Sequence, residues 1–433
     1  MITGRIPIDP STPAVVLKFD PNVMHHGGLG AIRSLGRLGV PVYAVAEAPW
    51  APAARSRYLT RRLVWRPDPE RAERTTAGLA RLAEQIGRPA VLIPTDDAGA
   101  IFLAEQGDDL RERFLFPAQP PALPRQVAGK HTLARLCAEL GVAAPRVLVT
   151  DSAEKAHGFA AEVGYPLIAK LATPWAVAGA GLRPTTVARS EEGLAGLWAA
   201  AGHAGVSLML QEFIPAWPGG DWFVHAYCDG AGAGRPVFTG VKIRSYPAHA
   251  GLTSFGLAAA NEDLRAAMAR LFAALGYRGI ADLDLRKDAR DGGYKLLDFN
   301  PRLGAQFRLF RDWAGLDVVT AAYLDLTGQP YAVRGQVNGR RFVVENYDLL
   351  GALSYWRAGE LGPVSWLRSL QGCEETAWFA WDDLLPFGLM CARMTARAVG
   401  RPVARVRTRR PAGHRRQPEP VIGWLADPRE ETP

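Results

Sequence analysis

Short apolar runs separated by polar, glycine-rich turns set the rhythm of the first hundred residues. AVVLKF at 14–19, VPVYAVA at 40–46 and VLIP at 91–94 have the length and β-branched content of buried strands. Between the first two, Ile32, Leu35 and Leu38 fall at helical spacing after Gly27, Gly28 and Gly30. A β-turn-α-β unit and a small parallel sheet are predicted over roughly the first 118 residues. From Ala118 to Pro124, AQPPALP reads as a linker. The pattern then predicts a helix over 126–140 capped by Gly141, a helix opened by Asp151 or Ser152, and the strand YPLIAKL. SLMLQEFI predicts a strand ending at Ile214, from which the chain passes through PAWPGG to Asp221. Farther on, VFTGVKIRSYP predicts another strand. Beyond the DLTG turn at 325–328 the pattern is harder to read, apart from a helix over Asp383–Gly400 with Leu384, Phe387, Met390 or Cys391, and Met394 at helical spacing.

The pattern places chemistry most clearly in GIADLDLRKDARDGGYKLLDFNPR, from Gly279 to Arg302. Side chains two apart on a strand share a face, so Asp282 projects with Asp284, and Asp298 with Asn300. The loop KDARDGG between them predicts a hairpin that brings Asp284 near Asp298 and Asn300. Two carboxylates and an amide oxygen suit a hard cation such as magnesium; a solvated hairpin with a wet acidic face is the plainer alternative. Lys170 ends an apolar strand, where a lysine calls for an anion, and phosphate is a reasonable partner. The small-residue loop that follows holds Gly179 and Gly181, suited to closing over phosphate or to an ordinary turn. Lys242 and Arg244, two apart, are expected on one strand face, balancing the acids or clamping phosphate and carboxylate.

Other features are open to two readings. GGLGAIR puts Arg33 where a dinucleotide fingerprint needs its last glycine, so the glycines serve an anionic substrate or close helix contact. His25 and His26 are expected on a surface loop. Thr95, Asp96 and Asp97 follow a strand, as ligand contacts or a helix N-cap.

The composition, 48% hydrophobic and 22% charged over 433 residues, is that of a globular protein of several domains. Cys137, Cys228, Cys373 and Cys391 form no CxxC pair, so they are expected as buried small side chains rather than zinc ligands or disulfides. With no signal-like start and no long apolar run, a cytoplasmic location is expected. The net charge of +8 is concentrated in nine arginines from Arg393 to Arg416 with no acid among them, and the remainder of the chain is close to neutral. That tail is a solubilising segment or a tether to anionic lipid or nucleic acid. Trp356, Trp366, Trp378, Phe379 and Trp381 precede it, as core or, with the Asp383–Gly400 helix, as a membrane-resting surface.

In their order, Lys130, Lys170, the glycine loop, QEFI, Asp221, Lys242 and DFNPR resemble the ATP-grasp superfamily over residues 1 to 330. LIPTDDAGAIFL, AGKHTLARLCAELGVAAPRVLV, GYPLIAK and LLDFNPRLGAQ look most like carboxylate-amine ligases related to D-aspartate ligase. The resemblance implies an α/β and α+β architecture. A Rossmann-like pre-ATP-grasp domain would cover 1–118 and the ATP-grasp domain 119–330, with its lid near 146–210 and catalytic lobe near 211–330. A C-terminal extension over 331–400 and a basic, disordered tail over 401–433 would follow. It implies an ATP-dependent enzyme that joins a carboxylate to an amine through an acyl phosphate, with magnesium, or manganese in its place. Lys130 and Lys170 correspond to the lysines on the ATP phosphates, with Gly179 and Gly181 in the covering loop. Gln211, Glu212, Phe213 and Ile214 correspond to the adenine-reading strand and Asp221 to the ribose acid. Asp284, Asp298 and Asn300 are the implied metal ligands, and Arg302, Lys242 and Arg244 the implied catalytic cations. Two departures stand out: Gly129 replaces the usual Asp before the first lysine, and TTVAR lacks a lysine many relatives carry. Expected partners are small carboxylate and amine substrates. A second copy of the chain, and a membrane inner face or polyanion met by the tail, are further alternatives, as is a non-catalytic nucleotide-binding role.

Overall fold

A computed structural model describes residues 6–171, 185–203, 207–229, 234–249 and 251–404. In chain order its elements are β1 (Ala14–Leu17), α1 (Gly27–Gly36), β2 (Val42–Ala46), β3 (Leu59–Val64), α2 (Ala72–Ile86), β4 (Ala90–Pro94), α3 (Asp97–Gln106), β5 (Phe114–Leu115), α4 (Leu123–Ala128) and α5 (Lys130–Glu139). There follow β6 (Val147–Thr150), α6 (Ala153–Val163), β7 (Leu167–Leu171), β8 (Thr185–Ala188), α7 (Glu191–His203), β9 (Leu208–Glu212), β10 (Ala216–Cys228), β11 (Gly234–Tyr246) and β12 (Leu252–Ala258). The remainder is α8 (Glu262–Leu275), β13 (Gly279–Asp288), β14 (Tyr294–Asn300), α9 (Val318–Leu326), β15 (Arg341–Val343), α10 (Glu345–Arg357), α11 (Pro363–Leu370), β16 (Glu375–Thr376) and α12 (Leu385–Ala404).

These elements form two compact units. The first gathers the described residues up to Pro124, Phe223–Asp282 and those from Asn300 onward; the second is Arg125–Trp222 with Leu283–Phe299. This division differs from the expected one, because residues 331–400 form no domain of their own. Phe342 of β15 pairs with Gly256 of β12 and with Glu375 of β16, which makes the C-terminal region an edge of a seven-stranded sheet.

In the first unit, the parallel sheet runs β3-β2-β1-β4-β5. β1 is buried along its whole length, as a parallel strand covered on both faces must be. The glycines of the first turn serve close contact: a Cβ on Gly30 would stand 2.7 Å from the Phe307 ring. They lie within α1 rather than in a turn before it. Asp96 caps α3, taking the amide of Gly99 at 2.8 Å, and its other oxygen takes the amide of Phe19 at 2.6 Å. His25 and His26 are not on the surface. His26 is buried against Phe342 and Trp378, and burial lowers its pKa to about 4.

Arg33, the residue that interrupts the glycine pattern, is wholly buried. Its Nε donates to Asp383 at 2.9 Å and its Nη2 to the carbonyls of Trp378 and Asp383. Ser56 and the amide of Arg57 complete the shell around Asp383. Of the aromatic cluster, Trp378 is core, whereas Trp356 and Trp381 are exposed. Phe387, Met390 and Met394 of α12 face the core. Cys137 and Cys228 are buried, but Cys373 is half-buried and Cys391 exposed.

In the second unit, the sheet runs β6-β9-β7-β8, with α6 and α7 packed on it through Phe159, Ala160, Leu194 and Ala201. Ser152 caps α6 through the amide of Lys155. The helix expected over 126–140 is two helices, α4 and α5, parted at Gly129. Strand β10 begins inside PAWPGG, with Gly219 at φ 66°. Its first four residues are exposed, where Pro218 and Gly219 cost little.

Candidate active site

β13 and β14 are neighbouring strands closed by a tight loop in which the Asp288 amide donates to the Gly293 carbonyl at 2.8 Å. Asp284 and Asp298, both half-buried, lie on these two strands within the second unit. Lys130, the first residue of α5, donates to the Leu297 carbonyl at 2.9 Å and pairs with the Asp298 carboxylate. Lys170, on β7, donates to a neutral acceptor among the described residues, Oε1 of Gln211 at 3.0 Å, and burial lowers its pKa. A lysine held that loosely and partly desolvated gains from any anion that approaches it.

Beside these, the acids expected to read the nucleoside have arginine partners. Arg286 binds both oxygens of Asp221, at 2.6 and 3.1 Å, and donates to the Ile214 carbonyl at 3.2 Å. Glu212 accepts from Arg290 at 2.7 Å and from the Arg146 amide at 3.1 Å. A ribose role for Asp221 would therefore compete with a bidentate ion pair. β9 ends at Glu212, so Phe213 and Ile214 follow the strand rather than belong to it. Gly179 and Gly181 lie outside the described residues.

In the first unit, Arg302 is fixed by Asp282 at 2.5 Å and faces Asp97 at 3.4 Å. Asp282 is buried, with Nε2 of His225 3.3 Å from it, so it does not project beside Asp284 as a wet acid. Asn300 donates its amide nitrogen to the Asp282 carbonyl at 3.1 Å. Asp282 and Asp97 were missed by sequence reasoning as partners of Arg302, and His225 as a partner of Asp282; the ADLD alternation marked Asp282 but not its burial.

Arg244 corrects the expectation of a paired cation face. A bulge between Lys242 and Arg244 breaks the two-residue alternation, leaving Lys242 half-exposed and Arg244 buried. All three guanidinium nitrogens of Arg244 are engaged: Nε and Nη2 by Asp348 at 2.8 Å each, and Nη1 by Ser369 at 2.9 Å. Its role is to hold α10 and α11 to the sheet, not to meet a phosphate.

No protein-family model matches the chain, and no curated protein does. Solved structures do. An N5-carboxyaminoimidazole ribonucleotide synthetase in complex with ADP is similar over 82% of this chain and 87% of its own, at 14% identity and a TM-score of 0.59. The N5-carboxyaminoimidazole ribonucleotide synthetase of Thermus thermophilus covers 74% of this chain and 81% of its own, at 18% identity and a TM-score of 0.53. The biotin carboxylase domain of the Hydrogenobacter thermophilus 2-oxoglutarate carboxylase, in complex with MgADP, ADP and bicarbonate, covers 76% and 73%, at 17% identity and a TM-score of 0.54. Identities this low speak for architecture, and the architecture agrees over most of the chain. The chain has the ATP-grasp fold.

Proposed function

We propose that the chain is an ATP- and magnesium-dependent ligase that joins a carboxylate to an amine, on an amino acid or a cell-wall precursor, as the resemblance to D-aspartate ligase relatives suggests. The observation that carries this reading is the pair of lysines in the second unit. Lys130 sits on the Asp298 carboxylate of β14, and Lys170, in the same unit, on a neutral oxygen of Gln211. The ADP bound by the synthetase and carboxylase neighbours supports a nucleotide as the anion those lysines await.

The donor chemistry fits a hard cation. Asp284 and Asp298 supply carboxylate oxygens, and Asn300, with its nitrogen committed to Asp282, has its amide oxygen left as an acceptor. Magnesium, or manganese in its place, would neutralise phosphate charge there. A carboxylate is a poor electrophile until one oxygen becomes a leaving group. In the proposed reaction the substrate carboxylate attacks the γ-phosphate of ATP, giving an acyl phosphate and ADP. The amine then attacks the acyl carbon, and phosphate and a proton leave. Lys130 and Lys170 would orient the phosphates and spread their charge, Lys242 would add a half-exposed cation, and Arg302, held rigid by Asp282, would face the substrate carboxylate or acyl phosphate.

The test is ADP formation across pairs of amino acids and other small carboxylates and amines, with Asp298→Ala as the blank. Turnover that needs both substrates and vanishes in the variant supports the ligase. Nucleotide binding without turnover on any pair would favour a regulatory protein on the same scaffold.

A further inference from the structure

We propose that the outward face of α10 and α11 docks on an anionic lipid bilayer, lying on the surface without crossing it. Leu349, Leu353 and Trp356 follow one another at helical spacing on α10, and Val364 and Leu367 do so on α11, and all five are 36 to 60% exposed. No residue of α11 is buried. The opposite faces account for the orientation: Asp348 of α10 is buried under Arg244 and accepts from the Trp366 indole of α11 at 2.8 Å. Both helices are thereby pinned through one carboxylate, and their apolar residues are left pointing away from the core.

Charge selects the occupant. Three carboxylates lie between residues 345 and 370, and of these Glu360 alone is exposed, with His249 as its partner. Glu345 accepts the amides of Ala377, Trp378 and Phe379, Asp348 is buried, and Glu360 meets His249 at 2.9 Å. Arg357 and Arg368 are exposed beside the leucines and Trp356. A second copy on a two-fold axis would set these arginines against one another, with Glu360, already paired with His249, as the one exposed acid of the two helices and their link. A bilayer containing anionic lipid receives them, while leucine and tryptophan enter the interfacial layer and arginine stems lie along it. In the sequence the same sign continues from Arg393 to Arg416. Among the described residues no helix is long and apolar enough to span a membrane, and Phe387, Met390 and Met394 of α12 face the core, so the docking face is α10 with α11.

The full chain would be sedimented with vesicles of phosphatidylcholine alone and of phosphatidylcholine with phosphatidylglycerol. The proposal expects binding to the mixed vesicles, weakened at least about tenfold by the pair L353E and L367E and by the pair R357E and R368E, with thermal midpoints unchanged. Absence of binding to the mixed vesicles overturns it. So does equal binding by wild type and the leucine variant, which assigns the attraction to the arginine-rich tail alone. A wild type that is dimeric by light scattering, and monomeric once the leucines are charged, would give the face to a second copy and overturn it as well.

Discussion

Arg244 and Lys170 are both strand cations expected from the sequence to meet phosphate. In the first unit Arg244 is buried with every nitrogen engaged, and Arg33 is likewise held by Asp383 and two carbonyls. In the second unit Lys170 is half-buried against one amide oxygen, and Lys130 and Asp298 remain partly exposed. A buried cation surrounded by fixed acceptors has no capacity left for a ligand, and removing either partner strands a charge in a medium of low dielectric. A cation whose partner among the described residues is a neutral amide oxygen keeps capacity for an anion. The difference separates cations that hold the protein together from cations available to bind.

That contrast can be broken at several points. The largest effect is expected for Lys170→Met, which should lower kcat/KM for ATP by about 100-fold or more in a steady-state ADP assay, leaving the thermal midpoint unchanged or slightly raised. A wild-type rate would remove Lys170 from the site. Arg244→Met leaves Asp348 buried without its partner and should cost about 3 to 5 kcal/mol in urea denaturation, with the nucleotide affinity of the folded protein intact. A weakened affinity at an unchanged midpoint would return Arg244 to phosphate binding.

His26 sharpens the contrast through pH. Its folded pKa, about 4, is depressed below the ordinary 6.5 by burial. The unfolded chain therefore takes up a proton first, so the contribution of the neutral imidazole is present above pH 6.5 and is lost as pH falls toward 4. Its ceiling is about 3 kcal/mol. Urea midpoints from pH 7 to 4 should fall less steeply in His26→Phe than in wild type; parallel curves would contradict the assignment. The smallest effect concerns Asp221. If Arg286 is its main partner, a double-mutant cycle on Asp221→Ala and Arg286→Ala should return a coupling of about 1 kcal/mol in stability, and ATP affinity should change less than about threefold in Asp221→Asn. A larger loss of affinity would give Asp221 to the ribose.

How far the sequence could be read follows from the range of the interactions involved. β1, β2 and β4 were legible because a buried parallel strand is apolar along its length, and the α6 cap because Ser152 acts on its own first turn. The hairpin bearing Asp284 and Asp298 was legible for the same local reason. What failed depended on distant partners. Arg244 meets Asp348, 104 residues away, and Arg33 meets Asp383, 350 away, and neither spacing leaves a local trace. The bulge after Lys242 reversed an alternation that the letters alone present as regular. His25 and His26 read as loop residues because the aromatic rings that cover His26 come from Phe342 and Trp378.

Titration calorimetry of ATP into the full chain, with and without magnesium, tests the central claim most directly. The account predicts magnesium-dependent binding by wild type that is lost or at least about tenfold weaker in Asp298→Ala, a variant whose thermal midpoint stays near that of wild type. Equal ATP affinity in wild type and variant, with or without magnesium, would contradict it.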